Sequence, residues 1–357
     1  MPVKILLPRL TVILLTIILF AIAPNAWSAS FTIVDGQFVT SQQTLLDPGD
    51  TGTINSGGDL TTSVIAIATS ASNITVLNNG AITTSGYNAY GIDSRSNSGT
   101  NTFTNSGTIT TSGTTGYGIY LLQNSGTTTA TNSGTITTSG QYGHGMYSKN
   151  QASGGISTFT NSGTITTSGD SSRGIYSNTN SGTITILNSG TIMTSGSSNN
   201  YGMQSSANSS TETLTNSGTI TTSGANGYGI ISSTNSGTNT ILNNGTITTS
   251  GTNAPGMYSS ANSGAETFTN SGTITASGQY GHGMYSYNQA SGGTSTFTNS
   301  GTITTSEAYG LGIYSSTNSG TSTLTNSGTI TTSGSSSRGI SSNTNSGTKT
   351  ILNSGTI

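Results

Sequence analysis

Apolar residues recur along this chain at three fixed places, each set by its distance from an asparagine in a phrase close to NSGTITTSG. The asparagine falls at Asn78, Asn105, Asn132, Asn161, Asn188, Asn216, Asn243, Asn270, Asn299, Asn326 and Asn353, at spacings of 27 to 29 residues. Two residues before it stands an apolar side chain in every unit, from Val76 and Phe103 to Leu324 and Ile351. Four residues after it the position is isoleucine throughout, from Ile82 to Ile357. Fourteen after it come Ile92, Ile119, Met146, Ile175 and their equivalents, with Met203 displaced by one in the 28-residue unit. So regular a period marks a repeat architecture.

The apolar places lie too close together for helix pairs, and NSG, TSG and a second NSGT mark three corners per unit. Glycine tolerates positive φ there, and Asn and Ser can bond their own backbone. Thr, Ile, Tyr, Phe and Ser fill the stretches between, and these favour a pleated backbone. Alternation of faces turns Ile109 inward and Thr108 and Thr110 outward. Three short strands and three corners describe one coil of an all-β, parallel β-solenoid (a β-helix), expected to be right-handed. Like residues then stack about 4.8 Å apart, giving an isoleucine ladder inside and asparagine ladders at corners. Extra residues in the 29-residue units fall in 149–157 and 288–295, where a corner can absorb them. One coil buries three large side chains, roughly 1.5–3 kcal/mol each, against about 1–2 kcal/mol of backbone entropy per residue. Stability must therefore come from stacking coils.

This pattern divides the chain. Residues 1–28 read as a secretory signal: Lys4 and Arg9, an apolar run from Leu10 to Ala23, and Ala26-Trp27-Ser28 as a cleavage site. Residues 29–77 hold an N-terminal cap, with Phe31, Ile33, Val34 and Phe38, and a degenerate coil around NSGGDLTTS. Ten coils occupy 78–352, and 353–357 begin an eleventh that stops on a core isoleucine, which reads as a fragment of a longer protein. Charged residues are 4% of the chain and cysteine is absent, so neither ion-pair networks nor disulfides hold the fold. Loss of Lys4 and Arg9 with the signal leaves a net charge of −4, which excludes nucleic acid as a partner.

The export signal, the short capping stretch and the NSGTI/TITTSG coils together resemble the passenger regions of autotransporters of Gram-negative bacteria. The resemblance implies a β-helical passenger carried to the cell surface or outer membrane by a C-terminal barrel. No segment here has the alternating amphipathic strands of such a barrel, so the barrel is expected in a missing C-terminus. Passengers of that family are often adhesins, which implies host or matrix glycans, proteins or other cells as partners.

The residues show no catalytic constellation and call for no cofactor or metal. His144 and His282 sit in near-identical copies, QYGHGMYSKNQASGG and QYGHGMYSYNQASGG, five coils apart, and read as surface corner residues. Glycan-degrading β-helix enzymes need gathered carboxylates, whereas Asp93, Asp170, Glu212, Glu266 and Glu307 are spread singly. Glu212 and Glu266 share a register two coils apart, roughly 10 Å, and read as solvated charge. Two surface features remain. Fifteen residues after the marker, on the outward side of the third strand, stand Tyr120, Tyr147, Tyr176, Tyr258, Tyr285 and Tyr314, suited to stacking on one another or to meeting sugars and proteins. Paired threonines such as Thr108/Thr110 form two outward files, broken at Ala81 and Met193. These files resemble the ice-contact face of β-solenoid antifreeze proteins. The expected function is a non-catalytic, exported β-helical stalk or adhesin. The alternatives are an ice- or polysaccharide-surface-binding solenoid working through the threonine files, and a glycan-degrading enzyme.

Overall fold

A computed structural model describes residues 30–357, apart from 289, 291, 317, 344 and 345. The expected export signal lies outside the described residues. The described chain winds as a parallel β-solenoid with three strands per coil, and no helix occurs among these residues. Its strands stack into three parallel sheets of 13, 12 and 12. In one coil the strand Thr100–Asn105 belongs to the first sheet, Thr108–Thr111 to the second and Ile119–Leu122 to the third. Register is like on like: Ile109 pairs with Ile82 and Ile136, and Asn105 with Asn78 and Asn132.

Each sheet contributes one apolar column to the core. Phe103, Ile109 and Ile119 are fully buried, and so are their equivalents through coil after coil. Gly118, just before the third-sheet strand, explains the recurring glycine-apolar pair. A Cβ there would lie 2.5 Å from Ile136 Cγ2 and 2.5 Å from Gly145 O, so only a bare backbone lets the next coil's isoleucine close under the corner. The 29-residue units place their extra residues at the corner between third and first sheets, where Gly154 and Gly292 take φ of +83° and +88°.

Both corners of the second sheet are tied from within. Asn78 Nδ2 donates to Asn105 Oδ1 at 2.7 Å, and the chain of amides continues one bond per coil to Asn353. The last threonine of TITT turns inward: Thr111 Oγ1 donates to Gly116 O at 3.0 Å, and Thr84 and Thr138 do likewise. In a low-dielectric interior each unmade bond exposes a desolvated group. Replacing Asn188 by alanine removes the bond that Asn161 Nδ2 donates and the one that Asn216 Oδ1 accepts, and should lower stability by about 1–3 kcal/mol, read as a fall in denaturation midpoint. An unchanged midpoint would show the ladder to be neutral.

The stretch expected to cap the rod is wound as a shortened coil. Phe31–Ile33 pairs with Gly52–Ile54, Phe38–Val39 with Asp59–Leu60, and Gln43–Leu45 with Ile67–Thr69. Gly52 stands in a core column without a side chain, and the Phe31 ring fills the space, 2.6 Å from where a Cβ would be.

Candidate functional site

The third sheet carries two interlocked files of side chains on its outward face. One is the tyrosine file at fifteen residues past the marker. The other stands three residues earlier, on the far side of the glycine: Tyr90, Tyr117, His144, Arg173, Tyr201, Tyr228, Pro255, His282, Leu311 and Arg338. Within each file rings stack at coil spacing. Tyr90 and Tyr117 lie 4.8 Å apart with planes 3° from parallel, Tyr117 and His144 5.0 Å at 5°, and Tyr147 and Tyr176 4.7 Å at 5°. Between files the rings meet edge to face, as Tyr117 and Tyr147 do at 86°. Both geometries are favoured by the ring quadrupole.

Mutual coverage changes what the sequence-predicted tyrosines present. Tyr120 and Tyr147 are only 6% and 5% exposed, and Tyr176, Tyr258, Tyr285 and Tyr314 are half-buried. Burial raises the phenols of Tyr120, Tyr147, Tyr176, Tyr258 and Tyr285, that of Tyr147 to about 12. Arg173 interrupts one file without breaking it, its guanidinium lying 5.2 Å from the Tyr176 ring and 5.0 Å from Tyr201.

The histidines are not surface residues. His144 and His282 are 4% and 8% exposed, and the Nδ1 of each accepts a backbone N–H, from Arg173 at 3.2 Å and Leu311 at 3.1 Å. An accepting Nδ1 requires the neutral ring. Burial also holds both below the ordinary histidine range, His282 at about 4 and His144 further helped by Arg173.

Glu212 and Glu266 are likewise not solvated; both are buried at the corner between third and first sheets. Glu212 Oε2 accepts from Ser205 Oγ and from Asn208 Nδ2, the latter at 2.6 Å, and Glu266 Oε2 from Ser259 Oγ and from Asn262 Nδ2 at 2.8 Å. Burial raises both carboxyls to about 7, against the pull of those donors. Asp93 is buried too, raised to about 6 by burial although Arg95 Nε approaches it at 2.8 Å. Asp93 and Arg95 line a small opening of about 280 Å³ with Leu46 and Ile65, and among the described residues no three His, Cys, Asp or Glu gather as a metal centre.

Two openings do interrupt the aromatic wall. A notch of about 400 Å³ is lined by Asn226, Tyr228, Asn253, Pro255, Tyr258, Tyr280, His282 and Tyr285. A groove of about 640 Å³ shares Tyr280 and His282 with it and continues past Tyr309, Leu311 and Tyr314 to Arg338. Tyr280 and Tyr309 stand over these openings 41% and 45% exposed, stacked at 4.9 Å and 10°. Both have positive φ, 57° and 61°, as the same corner does in the other coils from Asn88 to Ser336. The sequence marks the variable corner residues His144, Arg173, Pro255, Leu311 and their equivalents, but the Tyr280/Tyr309 pair went unread, although aligning the units puts tyrosine five residues before the noticed column.

A family model described as the BigA third pectate lyase-like domain matches residues 22–229 and, in a second overlapping placement, 155–357. No curated protein and no solved structure matches the chain.

Proposed function

The chain belongs to the BigA third pectate lyase-like domain family, and from that premise we propose that it is a non-catalytic, exported β-helical domain of a bacterial surface protein. It serves as a stalk or adhesin and meets its target through the third sheet. The family fits a surface β-helix. The observation that carries the contact role is the Tyr280/Tyr309 pair, two exposed, stacked rings above a groove.

Burial of Glu212 and Glu266 inside the corner supports the absence of catalysis, since a carboxyl enclosed in the stack cannot reach a glycosidic bond. Turnover of pectin-like polymers by the purified chain would overturn this part. Export as an autotransporter passenger, with a barrel encoded downstream, is the route in keeping with the reading, and sequencing the coding DNA beyond Ile357 tests it.

Serine already occupies the Tyr280 column at Ser171 and Ser336, so Tyr280→Ser with Tyr309→Ser should leave the melting temperature nearly unchanged. Displayed on cells, the double variant should adhere to glycan- or matrix-coated surfaces at least about fivefold less, as loss of aromatic anchors does. Adhesion equal to that of the parent would refute the contact role.

A second reading rests on a separate observation. The outward threonine file from Thr108 to Thr329 is unbroken in the second sheet, and the first sheet adds another from Thr75 through Thr102 to Thr350. Regular hydroxyl arrays of this kind suit an ordered water or polysaccharide surface. Absence of thermal hysteresis and of ice-plane affinity would dismiss the ice form of it.

A further inference from the structure

The aromatic file that begins at Tyr90 is filled in nearly every coil by a side chain that reaches its neighbours. From Tyr90 to Tyr228, tyrosine, histidine and arginine serve, each in ring or guanidinium contact with a neighbouring coil. Pro255 does not. It is buried, and its short ring leaves Tyr228 and His282 facing each other across two coil spacings, roughly 9.6 Å at strand separation. A group sandwiched between two rings needs about 7–8 Å between their planes at carbon contact distance. The surplus suits a puckered ring better than a flat one.

The walls of this notch respond to it. Within the tyrosine file, where Tyr147 and Tyr176 stack within 5°, Tyr258 lies tilted 43° from Tyr285. Tyr258 lines the opening. Asn226 and Asn253 line the opposite rim on backbone of positive φ, 51° and 54°, and offer amide donors and acceptors. Apolar faces with a few convergent polar groups are the usual make-up of a ligand site, and the volume lies in the usual range. Among the described residues that line it none carries a formal charge at neutral pH, because His282 accepts a backbone N–H at Nδ1 and is neutral.

We propose that the notch at Pro255 is a socket for one uncharged pyranose ring of a polysaccharide, gripped between Tyr228 and His282 with its hydroxyls toward Asn226 and Asn253. The aliphatic faces of a pyranose stack on aromatic rings, and its equatorial hydroxyls match amide groups at the rim. Tyr280 and His282 also line the larger groove, so neighbouring sugar units lie along the rod toward Tyr309. The assignment rests on the reading of the third sheet as the contact surface.

The test is calorimetric titration of the full chain with neutral β-1,4-linked glucose and mannose hexasaccharides, with the acidic hexagalacturonate as comparison. At least one neutral sugar should bind the parent, and hexagalacturonate more weakly. Pro255→Tyr completes the ring file, and Pro255→Leu copies what the chain carries at Leu311; both fill the notch with side chains the column accepts. Each should weaken neutral-sugar binding at least about tenfold, the loss expected when a ligand's pocket is occupied, with the melting temperature retained. Parent-like binding by both variants overturns the socket, as does preference for the acidic sugar. Absence of hexasaccharide binding, with adhesion still lost in the Tyr280/Tyr309 variant, overturns the socket and spares the contact surface; loss of neither overturns both.

Discussion

Replacing Ile220 by aspartate should split the rod's single unfolding transition into two. Ile220 is fully buried, pairs in register with Ile192 and Ile247, and its Cγ2 lies 2.3 Å from where a Cβ on Gly202 would be. No described cation stands near enough to compensate a carboxylate there, and an uncompensated buried charge costs upward of about 3–5 kcal/mol. In a linear array each coil is supported only by its neighbours. The defect therefore uncouples the coils before Ile220 from those after it, and calorimetry should resolve two melting steps below the parent's one. Ile220→Val, which removes a single methylene, should cost no more than about 1.5 kcal/mol and keep one step. One parent-like transition in the aspartate variant would mean that this column does not hold the coils together.

The second large effect is on pH dependence. Glu212 and Glu266 have folded values of about 7 against 4.5 when exposed. A raised carboxyl contributes stability that is complete below pH 4.5 and is lost as pH climbs through 7, at about 3 kcal/mol per group for a shift of this size. Asp93, raised to about 6 from 3.8, acts in the same direction at a lower pH. The histidines oppose them: His282, lowered to about 4 from 6.5, contributes stability present above pH 6.5 and lost as pH falls through 4, and His144 is lowered as well. In the parent the three carboxyls outweigh the two imidazoles, so stability should decline between pH 4.5 and 7. Glu212→Gln with Glu266→Gln keeps the bonds to Ser205, Asn208, Ser259 and Asn262 within reach of a side-chain oxygen and cannot ionise. That variant should be more stable than the parent by several kcal/mol at pH 8, and its stability should rise from pH 4.5 to 6.5, where the two imidazoles outweigh the remaining carboxyl of Asp93. Melting temperatures across that range decide it: parallel curves for parent and variant would show that the carboxyls do not titrate with folding.

Much of the fold was legible because one residue type occupies one place in every unit. Ile109 and its equivalents could only be core, and the marker asparagine could only be a ladder once like stacked on like. Glu212 was legible too, but was read by its charge. It stands two residues before the buried Leu214 on the same strand, Glu212–Asn216, and alternation alone turns it inward. The tyrosines were a different case. Alternation correctly turns Tyr120 outward, yet whether an outward ring is exposed depends on what reaches it from the other side of Gly118. That depends on how sharply the backbone turns there, which no spacing along one strand reports.

Taken by itself, the chain's periodicity determined the parallel solenoid, its three strands per coil, the columns that fill its interior and the corners where extra residues are absorbed. Those properties follow from local alternation and from stacking identical units, and both are written in one dimension. Only the tertiary structure decided that the outward tyrosines and the two histidines close into a continuous wall, that Glu212 and Glu266 meet serine and asparagine inside a corner, and that Pro255 leaves an opening between Tyr228 and His282. Each of these depends on side chains from different sheets or different coils converging across a corner, where distance is set by packing and not by position in the sequence.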